Sequence, residues 1–297
     1  MSTKTAFIFP GQGSQFVGMG KEHVDTNPEF KSLVHKADEI LGFSLSNIMF
    51  DGPEEDLKQT EFTQPAIFLH SVALFKTLST VPDAVAGHSL GEFSALVACG
   101  AVSFEDALVI VRKRGELMQK AGLLNPGTMA AVIGLDDEVV TSVCSKISTD
   151  SGLVVVPANF NSPGQIVISG FEQAIDLAVV EFQNLGCRMA KKLPVSGAFH
   201  SNLMQPAYDG LKENLEKLEI KTPVCPIFSN FTAEPTTDPE TIRRNLLEQL
   251  MNPVQWTKTM FEMESYGITS FIEVGPGKVL QGLIKRTLKN AEFNGYQ

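Results

Sequence analysis

The chain has 297 residues and a formal net charge of -10, with 43% hydrophobic and 20% charged residues. That composition supplies a packed core and excludes general disorder. The acidic balance excludes a general nucleic-acid binder, which needs a basic face, and weighs against anionic substrates. No apolar run reaches the roughly 20 residues that cross a bilayer, and Met1-Ser-Thr-Lys-Thr5 lacks the apolar stretch of a secretory signal. Cysteines at 99, 144, 187 and 225 have no paired spacing. They read as reduced thiols of a cytoplasmic protein rather than a disulfide framework or a metal site.

In chain order, residues 5–9 form an apolar β-type run that stops at Pro10-Gly11. Helical patterns follow at 29–41 and 65–78, then a short strand at 84–86 running into Gly87. Ser103, with Asp106 three residues on, caps a helix expected to reach about 120. The middle third reads as strand 129–133, helix 136–146, strands 154–158 and 166–169, helix 172–185 and strand 188–193. This β-α-β-β-α-β order is that of a ferredoxin-like unit, and it lies between the joints Asn125-Pro-Gly127 and Pro194-Val-Ser-Gly197. The remainder alternates again: helix 204–218, strand 226–229, helix 239–250, strand 270–274 and a helix after Gly275-Pro-Gly277. The expectation is an α/β fold with a mainly parallel sheet, formed by residues 1–125 and 198–297 and interrupted by a small inserted domain at 126–197.

Gly87-His-Ser-Leu-Gly91 fits G-x-S-x-G between a short apolar strand and a helical run at 92–98. In that setting the glycines allow a sharp turn that exposes the serine hydroxyl at a helix N-terminus, and the following N–H can stabilise an oxyanion. Ser89 is the candidate nucleophile and Leu90 the candidate donor; an ordinary capped turn is the alternative. Five histidines could supply the base. His23 and His35 lie in polar helical stretches and read as solvated, His70 as a satisfied core histidine, and His88 adjoins the serine on the same turn. His200, just beyond the Gly197-Ala198 turn, is the best general base. No histidine pair has metal-site spacing.

Phe9-Pro-Gly-Gln-Gly-Ser-Gln15 has Phe16 where a dinucleotide loop needs its third glycine, and reads instead as a backbone-lined loop opposite the elbow. Gly275-Pro-Gly-Lys278 lacks the upstream glycine and the Ser or Thr of a phosphate loop. Arg114, within Arg112-Lys-Arg114, read alone is a solvated helix charge.

These segments occur in order with Thr63-Gln-Pro65, Arg114-Gly115, Asn161-Ser-Pro-Gly-Gln165, Phe199-His-Ser201, Asn252-Pro-Val-Gln-Trp256 and Glu273-Val-Gly-Pro-Gly277. Together they resemble the malonyl-CoA:acyl carrier protein transacylase family, which includes the acyltransferase domains of polyketide synthases, over nearly the full chain. The resemblance implies an α/β-hydrolase-like large domain with a ferredoxin-like insertion. It implies Ser89 as the acylated residue, His200 as base and then acid, and the main-chain carbonyl of Gln249 in place of a triad aspartate. The Gln12 and Leu90 N–H groups would form the oxyanion hole. Arg114 would bind the malonyl carboxylate, Phe199 would line the acyl pocket and favour malonyl over branched units, and Gln64 and Asn161 would complete the substrate site.

The implied reaction transfers malonyl from malonyl-CoA to the phosphopantetheine thiol of acyl carrier protein, supplying fatty acid synthesis in the cytoplasm. It needs no cofactor or metal, and the expected enzyme is a monomer with no nucleic-acid or membrane partner. A free-standing acyltransferase of a polyketide pathway, a serine thioester hydrolase and a non-catalytic carrier-binding module are the competing readings. Two locally basic stretches, 188–192 and 278–289, are the candidate docking surfaces for the carrier or CoA, against a reading as solvated charges.

Overall fold

The computed structural model describes residues 4–297. Its strands, in chain order, are β1 (Lys4–Phe9), β2 (Ala84–Gly87), β3 (Gly127–Ile133), β4 (Val155–Ser162), β5 (Gln165–Phe171), β6 (Met189–Lys192), β7 (Ile227–Phe228), β8 (Pro235–Thr236), β9 (Ile268–Val274) and β10 (Glu292–Tyr296). A six-stranded sheet has the order β10-β9-β1-β2-β7-β8, with every pairing parallel except the β7–β8 hairpin. A four-stranded antiparallel sheet has the order β4-β5-β3-β6. The chain is a mixed α/β protein.

The period-2 rule explains how β1 holds the large sheet together. Phe7 and Phe9 point into a core shared with helices Thr60–Lys76 and Gly91–Ala98. Ala6 and Ile8 point into a second core built on Trp256, Met260, Phe271 and Ile284. Both sheet faces are therefore covered, which is why β1 is a continuous apolar run. The small sheet divides its residues the same way. Ala130 and Val132 of β3 pack under helices Asp137–Ser151 and Glu172–Asn184, whereas Met129 and Ala131 face the main core. The small sheet is tied to the segment around helix Trp256–Ser265 by a bridge between Asn159 and Val254 and by the Thr257 hydroxyl donating to the Phe160 carbonyl at 3.0 Å.

Several elements depart from expectation. The helix expected at 65–78 spans Thr60–Lys76 with Pro65 inside it. Proline deprives the carbonyl four residues earlier of its donor. That carbonyl, of Glu61, accepts instead from the Arg112 guanidinium at 2.7 Å, so the helix continues through Pro65. The helix expected at 136–146 runs on to Ser151, and the one at 204–218 is shortened to Gln205–Leu215 behind a 3₁₀ turn at Asn202–Met204. Helices Lys21–Thr26, Leu45–Asp51, Glu54–Leu57 and Trp256–Ser265 were not anticipated, nor was β10, which adds a parallel edge to β9. Ser103 does cap its helix (Phe104–Leu124), accepting from the Asp106 N–H at 3.1 Å. No helix among the described residues is long and apolar enough to cross a membrane. The four cysteines carry free thiols.

Candidate active site

The segments beyond the carboxyl ends of β1, β2 and β9 line one crevice beside β1, which β2 and β9 flank, the place where open parallel sheets form binding clefts. The turn after β2 carries Ser89. Its glycines are there for space: a Cβ on Gly87 would lie 1.8 Å from the Gly91 main chain, and one on Gly91 would lie 2.1 Å from the Phe9 carbonyl oxygen. Ser89 itself has φ 51°, a left-handed conformation that costs a non-glycine residue about 1 to 2 kcal/mol. Hydrogen bonds hold it there. Its N–H donates to Asn230 Oδ1 at 2.6 Å, and its carbonyl accepts from Gln249 Nε2 at 3.0 Å.

His200 also has a positive φ, of 57°. Its Nε2 lies 2.9 Å from Ser89 Oγ, and its Nδ1 lies 2.8 Å from the Gln249 carbonyl oxygen. A carbonyl can only accept, so Nδ1 carries the proton and Nε2 presents its lone pair to the serine hydroxyl. Burial, assisted by the nearby Arg114 charge, lowers the His200 pKa to about 3, so the ring is neutral at ordinary pH. The other histidines lie elsewhere or face away. His88 turns its Nε2 to Asn161 Oδ1 at 2.8 Å and its ring toward Trp256. His35 is exposed. His23 is not simply solvated, because it is half-buried with Nε2 2.6 Å from the Gln297 main-chain oxygen. His70 is a core residue but not a satisfied one: its buried Nδ1 has no partner among the described residues.

Arg114 is no solvated charge. It is 1% exposed and donates to Gln64 Oε1 at 2.7 Å, Gln249 Oε1 at 2.9 Å and Ser89 Oγ at 3.1 Å. Its Nε has no acceptor among the described residues. Two residues of this cluster have no role assigned from the sequence. Glu92, the first side chain after the elbow, is 2% exposed. Burial pushes its pKa up to about 8, against the pull of the Asn230 N–H, the Gln249 amide and Arg114. Asn230 sits beyond β7, and its Nδ2 donates to the Gly87 carbonyl at 2.6 Å. A lone acidic residue opening the apolar run Phe93–Ala98 was a signal for Glu92; no sequence signal marks Asn230.

A cavity of about 230 Å³ opens onto Ser89, His200 and Leu90 on the large-sheet side, with Gln12 across from them. Gln64 and Phe199 also line it, and Met129, Asn161, Val167 and Leu193 of the small-sheet region form the opposite wall. The Gln12 and Leu90 N–H groups have no acceptor among the described residues, as oxyanion donors require. A second cavity of about 310 Å³ adjoins the first through Gln165. It brings together Arg188 and Arg286, one from each basic stretch, and Arg286 donates to Gln165 Oε1 at 2.8 Å. Lys192, by contrast, is already paired with Glu172 at 3.2 Å and Asp176 at 2.6 Å.

Comparison with known proteins accords with this geometry. The family described as acyl transferase domain matches residues 6–296. The malonyl CoA-acyl carrier protein transacylase of Bacillus subtilis (strain 168) is 47% identical over 287 residues, which are 96% of this chain and 90% of that protein. Its counterpart in Staphylococcus aureus (strain MW2) is 42% identical over 296 residues, 99% of this chain and 96% of that one. Among solved structures, the malonyl CoA-acyl carrier protein transacylase of Coxiella burnetii has a TM-score of 0.95 at 40% identity, covering 99% of this chain and 93% of that one. A malonyl-transacylase solved in complex with a type II polyketide synthase acyl-carrier protein has a TM-score of 0.95 at 38% identity, covering 99% and 96%. The chain belongs to the acyl transferase family, and within it to the malonyl CoA-acyl carrier protein transacylases.

Proposed function

We propose that this enzyme transfers the malonyl group of malonyl-CoA to the phosphopantetheine thiol of acyl carrier protein through a malonyl-Ser89 intermediate, supplying fatty acid synthesis. The observation that carries the reading is that one atom, Ser89 Oγ, is in reach of both a neutral histidine lone pair at 2.9 Å and a buried guanidinium at 3.1 Å. A hydrolase of uncharged acyl groups has no use for the second.

In the first half-reaction His200 Nε2 takes the Ser89 proton as Oγ attacks the thioester carbonyl. The Gln12 and Leu90 N–H groups receive the oxyanion, the C–S bond breaks, and the proton passes from His200 to the departing CoA sulfur. The second half-reaction reverses these steps with the carrier thiol, which gives its proton to His200 and takes the malonyl group. Arg114 holds the malonyl carboxylate, releasing Gln64 or Gln249 to make room, and Phe199 and Asn161 border the acyl and pantetheine path. Side chains and the two thioesters suffice for this chemistry, so no cofactor or metal is assigned.

The large sheet is of α/β-hydrolase type and the small one is ferredoxin-like, with boundaries at 1–125 and 198–297 against 126–197. We assign the enzyme to the cytoplasm as a monomer. The cavity between Arg188 and Arg286 is the docking point for the anionic groups of CoA and the carrier. A type II polyketide carrier is the second reading of the acceptor, favoured by the solved complex of a relative with such a carrier.

The test follows intact mass after mixing with malonyl-CoA and then carrier. An adduct at Ser89 that passes to the carrier supports transfer. Rapid release of free malonate without carrier supports hydrolysis instead, and no adduct at all supports a binding module.

A further inference from the structure

Ser89 and His200 both occupy left-handed backbone conformations, and their positions depend on two carboxamides. Asn230 Oδ1 accepts the Ser89 N–H, and Gln249 Nε2 donates to the Ser89 carbonyl, while the main-chain oxygen of the same Gln249 holds His200 Nδ1. Behind both carboxamides stands one side chain the mechanism does not use. Glu92 Oε1 accepts the Asn230 N–H at 2.9 Å, and Glu92 Oε2 accepts from Gln249 Nε2. We propose that Glu92 is a positioning residue for acyl transfer, whose ionised carboxylate clamps Asn230 and Gln249 and through them fixes the Ser89 main chain, the His200 acceptor and Arg114. The proposal rests on the malonyl-transfer reading above.

The donor pattern favours the ionised form. Arg114 has donors only, so the Gln249 amide must turn its oxygen to Arg114, at 2.9 Å, and its nitrogen to Glu92. The Asn230 main-chain N–H is also a donor, so Glu92 faces donors on both oxygens. A proton on Oε2 would meet the Gln249 NH₂ group, and the amide cannot turn over without presenting that group to Arg114. Gaining a proton therefore loosens the clamp. The charged group acting on Glu92 is Arg114, from helix Phe104–Leu124; the segments bearing Gln249 and Asn230 present amides, and His200 lies beyond Ser89 as a neutral ring. Burial lifts Glu92 toward neutrality, which brings this loss within the range of ordinary assays.

The experiment measures the initial rate of malonyl-Ser89 formation by quenched intact mass from about pH 5 to about pH 9, for the wild-type enzyme, Glu92→Gln and Glu92→Asp. The expected wild-type rate falls as pH falls, along a limb above the usual carboxylate range that His200 cannot supply. Glu92→Gln puts an NH₂ group against that of Gln249. It should be slower by about 100-fold at high pH, the cost of a misplaced reacting pair, and should show no limb. Glu92→Asp keeps the charge on a shorter stem and should restore the limb at a reduced rate. Loss of a pH limb is not produced by general destabilisation. A wild-type enzyme that forms the adduct at a rate flat in pH overturns the proposal, and so does a Glu92→Gln enzyme that retains the wild-type rate and limb. If Glu92→Gln does not fold, the wild-type profile and Glu92→Asp decide. Failure of the wild-type enzyme to form any adduct would overturn the parent reading instead, so the two failures are distinguishable.

Discussion

Replacing Arg114 with alanine separates malonyl recognition from the chemistry of the serine. The guanidinium is 1% exposed and lies 3.1 Å from Ser89 Oγ, so a carboxylate held there is withdrawn from water beside the acylation point. Truncating one partner of such a buried, hydrogen-bonded charge pair costs about 2 to 5 kcal/mol. The alanine variant also loses the contacts to Gln64 and Gln249, and Glu92 loses its counter-charge. Those losses fall on every acyl substrate alike, so the informative quantity is a ratio. Acetyl-CoA has the thioester without the carboxylate. Taking about 3 kcal/mol for the pair, the malonyl-to-acetyl ratio of acylation rates should fall about 150-fold. The assay measures initial rates of adduct formation from each thioester at concentrations below saturation, for wild type and Arg114→Ala. An equal loss for malonyl and acetyl would refute carboxylate recognition by Arg114, however large the loss.

His200→Ala should slow malonylation of Ser89 by about 10²- to 10⁴-fold with the fold intact, since it removes the base; an unchanged rate in the mass assay would dismiss His200 from that role. His70 is held neutral by burial, its pKa lowered to about 3 from an unfolded value of 6.5, so its contribution to stability is complete above pH 6.5 and is lost as pH falls toward 3. Between pH 7 and pH 5 that loss is about 2 kcal/mol, so His70→Gln should flatten the pH dependence of urea unfolding by that amount, and parallel curves for the two proteins would contradict it. Charge reversal of Arg188 and Arg286 together should raise the carrier KM several-fold with little change in kcat, more so at low salt; an unaltered KM would remove the second cavity as the docking point.

Function is most legible in the sequence where it demands a local motif. The elbow is such a case, because a serine at a sharp strand-to-helix turn needs glycines on either side, and Gly87 and Gly91 stand where a Cβ has no room. His200 emerged by elimination among five histidines and lies in contact with Ser89. What stayed hidden depends on contacts between distant segments. Asn230 and Glu92 are 138 residues apart in sequence and meet only once β7 is laid beside β2. The start of helix Thr60–Lys76 is hidden because Pro65 is an ordinary first-turn residue, and only the position of Arg112 in the fold reveals how the helix tolerates it. The net charge of -10 misled in another way: it is a sum over the surface, whereas Arg188 and Arg286 come together from stretches nearly 100 residues apart in sequence.

The two walls of the cavity share one hydrophobic core. Ser89, His200 and Gln12 border it from the large-sheet side and Met129, Val167 and Leu193 from the small-sheet region, yet Met129 and Val167 pack into the same core as Phe9 and Leu90. Asn161 of the second wall is also hydrogen-bonded to His88, the neighbour of Ser89 on the elbow. A change of volume in the inserted region is therefore transmitted to the reacting groups, so the fit of the acyl group and the alignment of the serine are properties of one packed unit.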